Sequence, residues 1–215
     1  MRPTPRARND SIAPLTTLLP PEFLARVQSL EDAYLASDDP IEQSGFHGGP
    51  VRWRAEREPI VQAVEGDGSF LDIGCANGYL LECLVRWARE RRIELEPFGV
   101  DIGPRLIAAA RRLLPGFRDN FWVAEASDWQ PPRRFRYVYT LADCVPESSL
   151  REYVVRLVDR AVEPDGRLIV GSYGSRSRGE PPLDIATILE SFGVHVMGRA
   201  FGGDPAISAF AWVDG

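Results

Sequence analysis

The chain contains no lysine: all 25 of its basic residues are arginine. That imbalance reads as coding bias and not as function. Histidine is nearly absent, with only His47 and His195. Cysteine is sparse too, and Cys75, Cys83 and Cys144 show no metal-ligand spacing, so no metal site is expected and a reducing, cytoplasmic setting suits them. No apolar run approaches the ~18 residues of a membrane span, and the N-terminal segment lacks the apolar stretch of a signal peptide. Internal repeats and low-complexity blocks are missing as well. A net charge of −6 argues against a polyanionic partner, so nucleic acid is disfavoured. What remains is ordinary: 215 residues, 44% hydrophobic and 26% charged, enough for one domain with an elaboration and a real core.

The organising stretch is Phe70-Leu71-Asp72-Ile73-Gly74-Cys75-Ala76-Asn77-Gly78. Phe70 to Ile73 reads as a buried strand. A glycine turn follows, and from Tyr79 onward Leu80, Leu81, Leu84 and Ala88 share one helical face. Strand, tight turn and helix open a nucleotide-binding α/β unit. Gly74 and Gly78 let the backbone turn sharply and come close to a ligand. Asp72 narrows the choice. A carboxylate ~4 Å from a pyrophosphate is costly even at the effective dielectric of a protein surface. The acid therefore favours a cationic adenosine ligand over NAD or ATP.

Asp72-Ile73-Gly74-Cys75-Ala76-Asn77-Gly78 resembles the glycine motif of the class I S-adenosylmethionine (SAM)-dependent methyltransferases. It departs from the pattern D-x-G-x-G-x-G at its middle glycine, which is Ala76. The resemblance covers about residues 50 to 215. It implies a Rossmann-like α/β fold with a seven-stranded, mostly parallel sheet, an antiparallel closing strand and helices on both faces. It also implies S-adenosyl-L-methionine as cofactor, with the motif from Asp72 to Gly78 around it.

The remaining strands fall into place along the chain. Leu95 to Ile102 reads as the second, ending at Asp101. An acid there can take both ribose hydroxyls of an adenosine. The resemblance gives Asp101 that role and places Ile102 over one face of the adenine. The alternative is a cap for the helix that starts near Pro104, although Gly103 fits the cap position better. Phe121 to Ala124 is the third strand. By the resemblance Glu125 and Ala126 after it read the adenine edge, with Asp128 near enough to compete. Phe135 to Leu141 is the fourth, and the loop Ala142 to Glu147 lies where the crevice of an open α/β sheet opens. A helix through Leu150, Tyr153, Val154, Leu157 and Ala161 leads to a turn at Glu163–Gly166 and a fifth strand, Arg167 to Val170. Leu183 to Phe192 is a last helix. Val194 to Ala200 and Ala206 to Val213 form a closing hairpin.

Ahead of this core, residues 1–20 read as a flexible tail and 21–50 as a helical lid or extension, leaving 51–215 as the methyltransferase domain. Pro21 suits a first helical position, with the stripe Phe23, Leu24, Val27, Leu30 and Tyr34 behind it. The Gly-rich stretch to Pro50 includes His47. The division of labour expected is that this segment governs the substrate and not the cofactor. The reaction implied is methyl transfer to an O, N or C nucleophile of a small-molecule substrate. Asp143 is the first candidate for a base and His47 the second. Two rivals from other classes stay open, a non-catalytic SAM-fold partner protein and an NAD(P)-dependent oxidoreductase, which the acid at Asp72 disfavours, and within the class there is a nucleic-acid methyltransferase. The latter usually carries an Asn/Asp-Pro-Pro-aromatic motif after the fourth strand when it acts on an exocyclic amine. Asp143-Cys144-Val145-Pro146 is not that motif.

Overall fold

Strands that are apolar on both faces belong inside a sheet covered from both sides. β1 (Gly68–Ile73) and β4 (Phe135–Leu141) are of this kind, each almost wholly buried. In the computed structural model, which describes residues 21–215 and the side chains from Ala25 on, they are neighbours at the centre of a seven-stranded sheet. β2 (Leu95–Asp101), β3 (Phe121–Val123), β5 (Val162–Tyr173), β6 (Gly198–Gly202) and β7 (Ser208–Asp214) complete it in the order β3-β2-β1-β4-β5-β7-β6. Only β7 runs antiparallel to its neighbours. The expected tail at residues 1–20 lies outside the described residues.

Helices cover both faces. α2 (Gly49–Arg57), α3 (Tyr79–Glu90) and α4 (Pro104–Leu113) pack on one side through Trp53, Leu81, Leu84, Trp87, Ile107 and Ala110, against Phe70, Tyr137 and Tyr139. α5 (Leu150–Arg160) and α6 (Ile185–Ser191) cover the other through Tyr153, Val154, Leu157 and Leu189, against Leu71, Ile73, Val100 and Val138. The switch of face at successive residues, Phe70 one way and Leu71 the other, is the period-2 alternation of a strand. Among the described residues no helix is long and apolar enough to cross a membrane.

One segment departs from the sequence reading. The expected turn at Glu163–Gly166 is part of β5. Pairing jumps from Phe135 with Val162 to Tyr137 with Arg167, so the extra residues are absorbed as a bulge, with Asp165 at φ +63°. The helix leading into β1 ends at Arg57, and a 3₁₀ turn, Glu58–Ala63, replaces its second half. Pro59 explains this, since a proline in mid-helix removes a donor and crowds the preceding turn.

α1 (Pro21–Tyr34) is fastened to the core by a charge. Glu31 is 3% exposed, and its Oε1 accepts from Arg105 N at 2.6 Å and Leu106 N at 3.4 Å. The first residues of α4 thus find their acceptor on another helix, because Gly103 at the cap position has no side chain to offer. The ion pair of Asp32 with Arg105 adds a second, exposed link. Glu31→Ala should lower stability in chemical denaturation by about 1–3 kcal/mol, the cost of buried donors left unmatched. An unchanged midpoint would show that water replaces the carboxylate there.

Candidate functional site

β1 to β4 run parallel, so the loops leaving them open on one edge of the sheet. A cavity of about 710 Å³ lies there. Its walls include Gly74 from the first loop, Asp101 and Ile102 from the second, Glu125 and Ala126 from the third, and Asp143 and Cys144 from the fourth. Helix α1 covers it with Val27, Leu30 and Tyr34.

The glycine turn is pinned to β2, with Gly74 N and Cys75 N both donating to Val100 O at 2.8 and 3.1 Å. Gly74 has φ +87°, and a Cβ there would sit 3.0 Å from Cys144 Sγ. Ala76 also lies in the left-handed region, at φ +46°. For alanine this costs roughly 1 kcal/mol, and the strain is held by a bond from Ala76 N to Asp101 Oδ2 at 2.9 Å. Asp101 Oδ1 accepts from Gly103 N at 2.8 Å. Asp101 therefore clamps two loops, and each oxygen keeps a lone pair for a further donor. Burial pushes its carboxyl above the usual range. The Gly103 and Ala76 amides oppose that, and the charge of Glu31 adds to it.

Asp72 is 2% exposed and shares the face of Tyr137 and Tyr139. Burial, followed by the charge of Asp101, pushes its pKa up to about 8, with no hydrogen-bond donor offsetting either. Glu125 Oε1 accepts from Ser127 Oγ at 2.8 Å, and Arg156 of α5 steadies the loop by donating to Ala126 O at 2.9 Å. Asp128, the competing acid, faces a separate surface groove beside α5.

Some expected residues serve the loop instead of the cavity. Asn77 donates from its side chain to Pro40 O at 2.9 Å and accepts from Tyr79 N, tying the N-terminal segment to the turn. Cys75 is buried in the core, and Gly78 faces Ala110, whose Cβ would be 3.0 Å from an added methyl. Asp143 sits exposed in the 3₁₀ turn Ala142–Cys144 and does not cap α5, whose cap position is Ser149. The His47 side chain is 74% exposed, 4.0 Å from Glu42, and is not among the residues that line the cavity.

Solved structures share this architecture. A 1,6-didemethyltoxoflavin-N1-methyltransferase from Burkholderia thailandensis, with S-adenosylhomocysteine bound, superposes at a TM-score of 0.62 and 14% identity, covering 92% of this chain and 91% of that one. A SAM-dependent methyltransferase from Aquifex aeolicus gives 0.55 and 15%, covering 88% and 97%. The complex of DhpI with S-adenosylhomocysteine gives 0.59 and 18%, covering 88% and 93%. This is the class I SAM-dependent methyltransferase fold. No protein-family model matches the chain, and no curated protein does.

Val27, Leu30 and Tyr34 of the N-terminal helix line the same cavity as Asp101 and Glu125. Glu31 explains it by docking α1 onto α4 beside the second loop. Burial, then the charges of Asp101 and Asp143, raise the Tyr34 pKa. Sequence reasoning missed Glu31 and Arg57. Glu31 shares a helical face with Val27 and Tyr34, a signal that was present. Arg57 lies in the charged run Arg54-Ala55-Glu56-Arg57-Glu58 and reads as surface, yet it is 7% exposed.

Asp101→Ala should weaken cofactor binding and also destabilise the empty protein, by about 1–3 kcal/mol, because two amides lose a charged acceptor. Urea unfolding of the ligand-free variant checks this; unchanged stability would remove the clamp. Asp72 gives a pH signature. Its carboxyl ionises at about 4 in the unfolded chain and about 8 in the folded one. Between those values the folded state holds the extra proton, so stability falls as pH rises. Asp72→Asn should gain on the wild type steadily across that window. A constant difference would contradict the buried, protonated acid.

Proposed function

We propose that this chain is a methyltransferase that moves the methyl group of S-adenosylmethionine to an oxygen, nitrogen or carbon nucleophile of a small molecule. The observation that carries the reading is the convergence of Asp101 and Glu125 on one roofed cavity, with the buried, donor-poor Asp72 on the adjoining strand. The residues fit the cofactor. Asp101 retains lone pairs for two ribose hydroxyls, Ile102 covers one adenine face, and the Glu125 carboxylate with Ala126 N–H suits the adenine edge. Asp72 offers negative charge toward the cationic end. When bound, S-adenosylmethionine supplies an already activated methyl group.

The protein's task is then orientation and exclusion of water. Val27, Leu30 and Tyr34 form the roof that keeps water out, and Glu31 holds that roof in place. Asp143 lies on the wall at the end of β4 and is the group placed to take a proton from an oxygen nucleophile. A small acceptor is supported by the net charge of −6, which disfavours a polyanionic one.

Calorimetry should show binding of S-adenosylmethionine and S-adenosylhomocysteine, without comparable binding of NAD or ATP. At a ligand concentration of 100 Kd either should stabilise the fold by about 2.7 kcal/mol. Tight NAD binding with S-adenosylmethionine inert would overturn the reading. Transfer of labelled methyl groups into the small-molecule fraction of an extract tests the acceptor class.

A further inference from the structure

In the loop that follows β3, every carbonyl from Glu125 to Ser127 is already taken. Glu125 O accepts from Asp128 N at 3.2 Å and from Trp129 N at 2.9 Å. The next two are gripped by one side chain, since Arg156 of α5 donates from Nη2 to Ala126 O at 2.9 Å and from Nη1 to Ser127 O. Arg156 lines the groove beside α5 and not the cavity, so both carbonyls are held toward the groove. One donor and one acceptor are left over. Ala126 N–H meets no acceptor among the described residues. Glu125 keeps Oε2, while its Oε1 accepts from Ser127 Oγ at 2.8 Å. Both Glu125 and Ala126 line the cavity.

Arg156 reaches the loop because α5 is itself fixed to the sheet. Tyr153, three residues earlier on the same helical face, is buried, and its hydroxyl lies 2.9 Å from Thr140 Oγ1 of β4. The Arg156 Cζ stands 5.5 Å from the Tyr153 ring. A planar guanidinium fork suits two adjacent oxygen acceptors, and its charge strengthens both bonds. The groove's other arginine, Arg160, is turned instead to Gln130 Oε1 at 3.2 Å and to Asp159 at 3.6 Å.

The polarity of what remains decides which purine fits. Adenine presents a donor amine beside an acceptor ring nitrogen, and hypoxanthine presents the reverse, a carbonyl oxygen beside a ring N–H. Glu125 Oε2 with Ala126 N–H matches the first and opposes the second. A loop carbonyl turned into the cavity would set an acceptor against the adenine nitrogen and offer hypoxanthine a partner. We propose that Arg156 is a positioning residue that sets the base selectivity of the cavity. By holding Ala126 O and Ser127 O on the groove side, it keeps the loop in the arrangement that takes adenine and rejects hypoxanthine. The proposal rests on the reading of the cavity as an S-adenosylmethionine site.

The experiment is calorimetry of the wild type, Arg156→Met, Arg156→Lys and Arg160→Met with S-adenosylhomocysteine and with S-inosylhomocysteine, which differs from it only at the base edge. Thermal unfolding of each empty protein shows which are folded. The quantity read is the ratio of the two affinities within one protein, which a general loss of folded material does not move. The wild type prefers the adenine compound, because a site built to bond one edge leaves polar groups unpaired on the other. In Arg156→Met that preference falls at least about tenfold, the share of one charged hydrogen bond. Arg156→Lys, a compact charge facing two carbonyls, keeps part of it. Arg160→Met removes the same charge from the same helix and keeps the wild-type ratio. An unchanged ratio in Arg156→Met overturns the proposal, as does an equal fall in Arg160→Met, which would make the effect one of charge alone. Where only the lysine variant folds, a wild-type ratio in it overturns the proposal. A wild type that binds both compounds alike overturns it too and leaves the cofactor reading standing. A wild type that binds neither refutes the cofactor reading, and the proposal with it.

Discussion

The pair of hydrogen bonds from Ala76 N and Gly103 N to the Asp101 carboxylate holds the site together. They tie the first loop to the second. The glycine turn puts a residue with a side chain, Ala76, at positive φ, and the second loop must deliver a helix start with no cap of its own. One carboxylate settles both, and in doing so fixes the separation of β1 and β2 at their carboxyl ends. The adjoining helix contributes Glu31 to the same helix start. Burial is the main reason the carboxyl of Asp101 is raised in spite of its two donors, and the nearby charge of Glu31 adds to it.

Much of the site is assembled by burying charge with too few partners. Asp72 and Arg57 are almost inaccessible, and the described residues leave the first without an offsetting donor and the second with an orphaned nitrogen. In a structural core such groups are destabilising unless matched. The neighbouring apolar packing, from Trp53, Phe46 and Tyr173, holds them rigid and raises the cost of leaving them unmatched.

Sequence reasoning went furthest where periodicity and turn chemistry agree. β1, the glycine turn and α3 were legible because a short apolar run, two glycines and a 3.6-residue stripe follow one another without conflict. β4 was legible for equally local reasons. Pairings between distant segments were not. Glu31 capping α4, Asn77 holding Pro40 and Arg57 turned into an aromatic box each depend on where separate elements dock. A charged residue in a charged run carries no local mark of burial. The β5 bulge was hidden for the opposite reason, since Pro164-Asp165-Gly166 has the composition of a turn and is bridged only by its pairing with β4.

A buried Asp72 that is protonated in the empty protein should ionise when a cationic ligand binds. Proton exchange on binding measures this directly, by titrating S-adenosylhomocysteine at pH 7 in buffers of different ionisation enthalpy. With a pKa near 8 in the empty protein, ionisation of Asp72 should release close to one proton per ligand bound. The release should shrink as pH rises past about 8, and Asp72→Asn should abolish it. Binding without proton release at pH 7, or with release that persists in Asp72→Asn, would contradict the central claim.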